Sequence, residues 1–159
     1  MKKLTNLLVF LSLNAGLFAQ TPVWKNYLSY QQKQEIAQAH RNLLYVLASQ
    51  GLYAYHPNDR SIRTFDKVNG LADAAIAHIS YNTSAHRLVV VYVNGNIDLL
   101  DDDGQVTHLS AYRDARLTAD KTVNSICQHG NDAFLATGFG IVRLNVARAE
   151  VSDTYQLHC

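Results

Sequence analysis

Short apolar runs separated by polar turn residues fill most of the chain, and their arrangement repeats. Gly51, Gly95 and Gly140 each stand just before such a run, at spacings of 44 and 45 residues. Two further apolar runs precede each glycine and one more follows, so that each unit carries four runs rich in Val, Ile, Leu, Tyr and Phe. Runs of this composition between turn residues predict β-strands. Four short strands in a repeat of about 40–50 residues are typical of a β-propeller blade.

The repeat predicts an all-β fold, a partial β-propeller of about three four-stranded blades. The blades cover roughly 36–65, 76–110 and 123–155, and an alternating aromatic run at 23–30 predicts a leading strand before them. Closed propellers have typically about 4–8 blades. We therefore expect residues 20–159 to be the N-terminal part of a β-propeller, a fragment of a larger one.

Local patterns distinguish this fold from a β-sandwich or an α/β fold. The runs at 43–48 and 88–93 are continuously apolar, which predicts strands covered on both faces. An α/β fold needs amphipathic helices between its strands, and only 30–38 and 111–119 offer candidates. Residues 31–35 have no apolar stripe, so we expect a loop or a single helical turn there.

The N-terminus has the pattern of a secretory signal peptide over the first 19 residues. Lys2 and Lys3 precede a mostly apolar run that ends at Phe18, and Ala19 supplies a small residue before Gln20. This order of basic, apolar and small residues predicts cleavage between Ala19 and Gln20. The apolar run is too short and interrupted for a membrane span of about 20 residues. A buried N-terminal helix is the alternative.

The charge and the number of cysteines exclude several classes of protein. The 159 residues hold 14 basic and 13 acidic side chains, a net charge of +1, which becomes −1 when Lys2 and Lys3 leave with the signal. Such a balance argues against a nucleic-acid partner. Two cysteines cannot form a disulfide framework or a four-ligand zinc site. Cys127 is predicted to be a core or near-core residue, with a disulfide to Cys159 as the alternative.

The acidic run from Asp101 to Asp103, followed by Gly104, has two interpretations. A calcium loop needs carboxylates at alternate positions and a distant bidentate glutamate, and neither Glu35 nor Glu150 stands at a suitable distance. Consecutive Asp residues before Gly also suit a hairpin turn with a left-handed glycine. The hairpin turn is the favoured interpretation.

No other motif predicts catalysis or cofactor binding. The sequence has no H-x-H, H-E-x-x-H, C-x-x-C or G-x-S-x-G pattern, and Gly138-Phe139-Gly140 suits a tight turn rather than a dinucleotide site. Alternation on their strands predicts that His78 and His108 face outward. We predict no enzyme activity, no metal and no cofactor, and the sequence leaves the ligand-binding residues unknown. The seven histidines are interpreted as scattered surface or strand-end residues: His40, His56, His78, His86, His108, His129 and His158.

Aromatic residues are the remaining candidates for ligand contacts, because loops at blade ends bind ligands in propellers. Tyr81 and Tyr112 stand near loops and are predicted to be exposed. Four tyrosines within strands are predicted to be packing groups: Tyr45, Tyr53, Tyr55 and Tyr92.

Several motifs resemble known propeller repeats. Gly51-Leu52-Tyr53, Asn69-Gly70-Leu71 and Ile76-Ala77-His78-Ile79 resemble the repeat of two-component-regulator propellers. The stretches 23–30, 91–100, 120–126, 134–144 and 150–155 are together similar to the N-terminal propeller of the PorZ family. Members of that family are surface components of the type IX secretion system of Bacteroidetes.

This resemblance implies a non-enzymatic protein, exported to the cell surface or outer membrane, or periplasmic if not translocated. Its implied partners are the sortase complex of the type IX secretion system and anionic lipopolysaccharide, which the family is implied to deliver to the sortase that modifies secreted cargo. The alternative function is the extracytoplasmic sensor propeller of a hybrid two-component regulator. A secreted propeller hydrolase or lyase is a third, weaker option.

Overall fold

The computed structural model describes residues 33–49, 51–110, 112 and 120–156. The predicted signal peptide and its cleavage site, the leading strand at 23–30, most of 111–119 and Cys159 lie outside the described residues. Three antiparallel sheets of four strands each make up the described chain. Their strands succeed one another in sequence order, so neighbouring strands are joined by short hairpins.

Each sheet takes its strands from one sequence repeat. The first sheet contains β1 (Lys33–Gln38), β2 (Leu44–Ala48), β3 (Gly51–His56) and β4 (Ser61–Phe65). The second contains β5 (Ile76–Asn82), β6 (Arg87–Tyr92), β7 (Ile97–Asp101) and β8 (Val106–Leu109). The third contains β9 (Val123–His129), β10 (Asp132–Thr137), β11 (Gly140–Asn145) and β12 (Glu150–Gln156).

The sheets stack face to face, and their first strands converge. Strand β5 contacts both β1 and β9, which places the first strand of every sheet on one side of the stack. Blades of a propeller meet in this way around a common axis. The predicted all-β class and partial propeller of four-stranded blades are confirmed.

Two apolar layers hold the stack together, one on each face of the second sheet. The layer between the first and second sheets includes Tyr45, Leu47, Leu52, Leu88 and Val90. The layer between the second and third sheets includes Val89, Ile97, Leu99, Leu135 and Leu144. Because its alternate residues enter different layers, β6 is buried on both faces, with Leu88–Tyr92 at most 2% exposed. Val93, the last residue of the predicted run, lies in the following turn and is 70% exposed.

Gly140 opens β11 at a position where no other residue fits. Its φ is +150°, and a Cβ there would clash with the backbone carbonyl oxygen of Tyr155 on β12. Residues 138 and 139 form the tight turn predicted between β10 and β11. The glycine is therefore required by the close approach of the two strands.

Two local predictions are wrong. Residues 33–35, predicted as loop or helical turn, belong to β1, which pairs with β2 through a register shift between Lys33 and Glu35. Polar residues suit this strand because the Glu35 carboxylate accepts hydrogen bonds from the second sheet. Cys127, predicted to be in or near the core, is an exposed free thiol. It lies on β9, the first strand of the third sheet.

Within the described residues, no helix has the length and apolar character needed to cross a bilayer.

Candidate functional site

An open cleft of about 830 Å³ lies at one end of the stack, between the first and second sheets. Four hairpin loops meet there, those that join β1 to β2, β3 to β4, β5 to β6 and β7 to β8. Loops at the end of a propeller stack are the usual place for ligand contacts. The polar residues that line the cleft are His40, Arg41, His56, Asn58, His86, Arg87, Asp101, Asp102 and Asp103.

Arg87 and Asp101 are paired with each other inside this cleft. Arg87 Nε donates to Asp101 Oδ1 over 2.6 Å, and Arg87 Nη1 donates to the Val146 carbonyl oxygen over 3.1 Å. The first contact joins neighbouring strands β6 and β7, and the second reaches the turn after β11. Because both groups have partners, this pair fixes the floor of the cleft instead of offering a free charge.

Tyr81 and Asp102 form the next hydrogen bond of the cleft floor. The Tyr81 hydroxyl donates to Asp102 Oδ1 over 2.9 Å, and His86 Nδ1 lies 3.5 Å from the same hydroxyl. Burial, with the adjacent Asp102 carboxylate, raises the pKa of Tyr81 to about 12. His86 Nδ1 lies 3.7 Å from Asp102 Oδ2, and the rings of His86 and His40 meet edge to face at 5.2 Å.

The rim of the cleft carries positive and titratable groups. Arg41 is exposed, has a left-handed φ of 56°, and makes no hydrogen bond or ion pair with any described residue. His40, His56 and His86 are exposed beside it. The carboxylate of Asp103 is also exposed, whereas its backbone carbonyl oxygen accepts from Arg63. Arg41 and the three imidazoles together can donate hydrogen bonds to an anionic group.

The run from Asp101 to Gly104 forms the predicted hairpin turn. The Gly104 N–H donates to the Asp101 carbonyl oxygen over 2.8 Å. The Asp101 N–H donates to the Gln105 carbonyl oxygen over 2.9 Å. Gly104 has a φ of +86°, as a left-handed turn position requires. Among the described side chains, no cluster of three His, Cys, Asp or Glu residues suits a metal ion.

A second, smaller groove of about 310 Å³ runs along the converging first strands. Glu35 on β1 accepts from the Ile79 backbone N–H over 2.7 Å, and its Oε1 lies 2.6 Å from His78 Nδ1. His78 is therefore half-buried and held between two sheets, not turned freely outward as predicted. This pair joins the first sheet to the second near the axis of the stack.

Asp98 on β7 is a fully buried carboxylate outside both grooves. Its Oδ2 accepts from the Tyr92 hydroxyl over 2.6 Å and from the Ala72 N–H over 2.8 Å. His108 Nδ1 lies 2.8 Å from Oδ1, and the His108 side chain is 55% exposed, as its predicted outward position requires. Burial, with the Asp98 contact, raises the pKa of Tyr92. Because Ala72 lies on the connection from β4 to β5, the cluster around Asp98 holds that connection against the second sheet.

The tyrosines proposed as exposed ligand contacts are buried. Tyr81 is 8% exposed and Tyr112 is 2% exposed, so the prediction of exposure is wrong for both. The Tyr112 hydroxyl donates to the Lys121 carbonyl oxygen over 2.7 Å, and burial raises the pKa of Tyr112 to about 12. Tyr45 and Tyr92 are buried in the layer between the first and second sheets, as predicted, whereas Tyr53 and Tyr55 are half-buried outside that layer.

No spacing motif in the sequence joins His40, Arg41, His56 and His86. They stand at three different strand connections, with His56 the last residue of β3. A signal was nevertheless present, because the loops after the first and third strands of every blade lie at the same end of the stack. If the polar residues are assigned to equivalent loops of the repeat, these loops are predicted to lie close together.

The stacked four-stranded sheets and the polar loop cleft define this chain as a stretch of β-propeller. The family model for the N-terminal β-propeller domain of PorZ matches residues 44–159. The chain belongs to this PorZ N-terminal propeller family. A comparison with curated protein sequences gives no match to it.

Solved structures agree with this assignment. PorZ of Porphyromonas gingivalis, an essential surface component of the type IX secretion system, is 33% identical with a TM-score of 0.76, over 84% of this chain and 18% of that one. The extracellular domain of a putative one-component system from B. thetaiotaomicron is 18% identical with a TM-score of 0.64, over 85% and 18% of the two chains. Virginiamycin B lyase from Staphylococcus aureus is 14% identical with a TM-score of 0.63, over 86% and 45%. The last two likenesses show the fold alone.

Proposed function

We propose that this protein is a non-enzymatic surface component of a type IX secretion system that helps to deliver anionic lipopolysaccharide to the sortase. The match to the PorZ propeller family, with 33% identity over 84% of the chain, carries the proposal. The chain spans 18% of the length of that PorZ. Export would follow cleavage of the signal peptide between Ala19 and Gln20.

Within this function, the loop cleft is the proposed contact for the anionic ligand. Arg87 compensates the charge of Asp101, the Tyr81 hydroxyl donates to Asp102, and Asp103 stays an exposed carboxylate of the same cleft. Arg41 has no such partner among the described residues and faces solvent at the rim. A guanidinium matches the geometry of a phosphate or carboxylate oxygen pair. The ring N–H groups of His40 and His56 add hydrogen-bond donors at the same rim.

Binding of purified anionic lipopolysaccharide to the mature chain, residues 20–159, tests this proposal. We expect the wild type to bind the anionic form more tightly than a neutral lipopolysaccharide. Arg41→Ala should weaken binding about fivefold, because an exposed ionic contact contributes up to about 1 kcal/mol. Lys67→Ala is the matched control, since Lys67 is an exposed cation on the connection between β4 and β5, away from the cleft.

Three results would contradict this account. Equal binding of the anionic and neutral forms would contradict lipopolysaccharide delivery by this chain. Equal weakening by both substitutions would indicate general charge attraction and would overturn the cleft as the site. The sensor-propeller alternative predicts a membrane span and kinase modules encoded downstream of codon 159, and finding them would displace the secretion function.

A further inference from the structure

The chain contains the tripeptide Val-Asn-Gly twice, in turns with different surroundings. Val68-Asn69-Gly70 lies in the connection from β4 to β5, and Val93-Asn94-Gly95 forms the turn from β6 to β7. Both glycines have a positive φ, of +102° and +82°. An asparagine before glycine is open to attack on its side-chain amide by the next backbone nitrogen, because glycine has no Cβ to hinder the approach. A difference in reactivity between the two asparagines is therefore expected to come from their surroundings.

Asn94 is held at both of the groups that would react. Its Nδ2 donates to Asp73 Oδ2 over 2.6 Å, and its Oδ1 accepts from the Asn96 N–H over 3.0 Å. The Gly95 N–H donates to the Tyr92 carbonyl oxygen over 3.0 Å. These are hydrogen bonds of ordinary length. Attack at Asn94 would have to break the bonds of the amide and of the nitrogen, so this turn protects its asparagine.

Asn69 is held more weakly. Its Nδ2 lies 3.4 Å from the Thr64 carbonyl oxygen, and the Gly70 nitrogen lies 3.4 Å from the Lys67 carbonyl oxygen. Both distances are at the long limit for a hydrogen bond. Asn69 is exposed, and no described residue donates to its Oδ1. Because turns with weak bonds and exposed side chains open locally at low cost, the two reacting groups of Asn69 are the freer pair.

We propose that Asn69 is a site of spontaneous deamidation, whereas Asn94 is protected by its turn. The Gly70 nitrogen loses its proton and bonds to Asn69 Cγ, the Cγ–Nδ2 bond breaks, and Nδ2 leaves as ammonia with a proton. The product is a cyclic succinimide. Water then opens the ring at either carbonyl, which gives aspartate or an isoaspartyl linkage. Water is therefore the only co-reactant, and nothing is oxidised or reduced.

The consequence of this reaction depends on the residues that follow Asn69. Leu71 is 5% exposed, and its N–H donates to the Asp66 carbonyl oxygen over 3.0 Å. The Ala72 N–H donates to the buried Asp98 carboxylate. An isoaspartyl linkage adds a carbon to the main chain just before these two residues. It should therefore weaken the attachment of the β4–β5 connection to the second sheet.

Ageing of the intact protein in mildly alkaline buffer, followed by tryptic digestion and mass spectrometry, tests the proposal. Cleavage after Lys67 and Arg87 places Asn69 and Asn94 on different peptides of one digest, and fragmentation locates the acid within each peptide. We expect conversion to the acid several-fold faster at Asn69 than at Asn94. Asn94 is the matched control, because the same tripeptide surrounds it. In concentrated urea the two rates should converge, and Asn69→Gln should remove the fast conversion.

Equal rates in the folded protein would overturn the proposal, and so would faster conversion at Asn94. A ratio that persists in urea would also overturn it, because the local sequence and not the turn would then set the rate. Conversion at neither asparagine, during the time in which the urea sample reacts completely, would have the same meaning.

Hydrogen exchange tests the consequence of the modification. Backbone amides of Leu71 and Ala72 should exchange faster in the isoaspartyl form than in the unmodified protein, because the connection that carries them is loosened. Unchanged exchange would contradict a weakened connection.

Discussion

Removal of the buried Asp98 carboxylate should destabilise the fold more than removal of an exposed carboxylate in the same sheet. Asp98 is fully buried and accepts hydrogen bonds from Tyr92 and Ala72, with His108 Nδ1 at 2.8 Å. Asp98→Ala leaves a buried hydroxyl and a backbone N–H without their acceptor. Each buried donor left without an acceptor costs about 1–3 kcal/mol, so the substitution should cost about 2–6 kcal/mol. Tyr92→Phe removes one donor and should cost about 1–2 kcal/mol.

Urea unfolding followed by circular dichroism, at fixed protein concentration, measures these costs. Asp103→Ala is the matched control, because the Asp103 carboxylate is exposed in the turn after β7 and has no described partner. We expect it to change the free energy of unfolding by less than about 0.5 kcal/mol. The reasoning is refuted if Asp98→Ala falls within that same range, or if Tyr92→Phe costs more than Asp98→Ala.

Three further outcomes are expected. Mass spectrometry of exported protein should find an N-terminus at Gln20, and a retained Met1 would remove the signal-peptide prediction. Burial raises the pKa of Tyr81 from an ordinary 10.0 to about 12 in the folded state. The stability that this group contributes is therefore complete below pH 10 and is lost as the pH rises towards 12. Tyr81→Phe should flatten the dependence of the urea midpoint on pH between about pH 10 and 12, and an unchanged slope would refute this cause. Gly140→Ala should lower the free energy of unfolding in urea by about 1–3 kcal/mol, because its Cβ would meet the Tyr155 carbonyl oxygen. Gly138→Ala, where a Cβ has more room, should lower it less, and equal losses would contradict the strand contact.

The β-propeller architecture could be predicted from the sequence because the same four-strand pattern recurs in every blade. A run such as Leu88–Tyr92 is apolar at every position, and only a strand between two sheets buries both of its faces. The turn from Asp101 to Gly104 was equally readable, since its left-handed glycine and acidic residues form a local conformation. The predictions for these two segments, which needed only their own residues, are confirmed.

The errors concern residues whose surroundings come from distant parts of the chain. Tyr81 stands near a loop, but the loop after β1 and the carboxylate of Asp102 bury it. Cys127 has apolar neighbours in sequence, yet its side of β9 faces away from the second sheet. The strand at residues 33–35 has no apolar pattern because Glu35 pairs with His78 on another sheet. The local sequence pattern does not determine which distant residues a side chain contacts.

The central structural claim is that the second sheet lies enclosed between the first and the third. Hydrogen–deuterium exchange of backbone amides tests it most directly, because exchange from an enclosed strand requires opening of the stack. We predict that amides of Leu88–Tyr92 on β6 exchange slowest, and that those of Glu150–Gln156 on β12, the outermost strand of the third sheet, exchange much faster. Exchange in β6 as fast as in β12 would contradict the stacked arrangement.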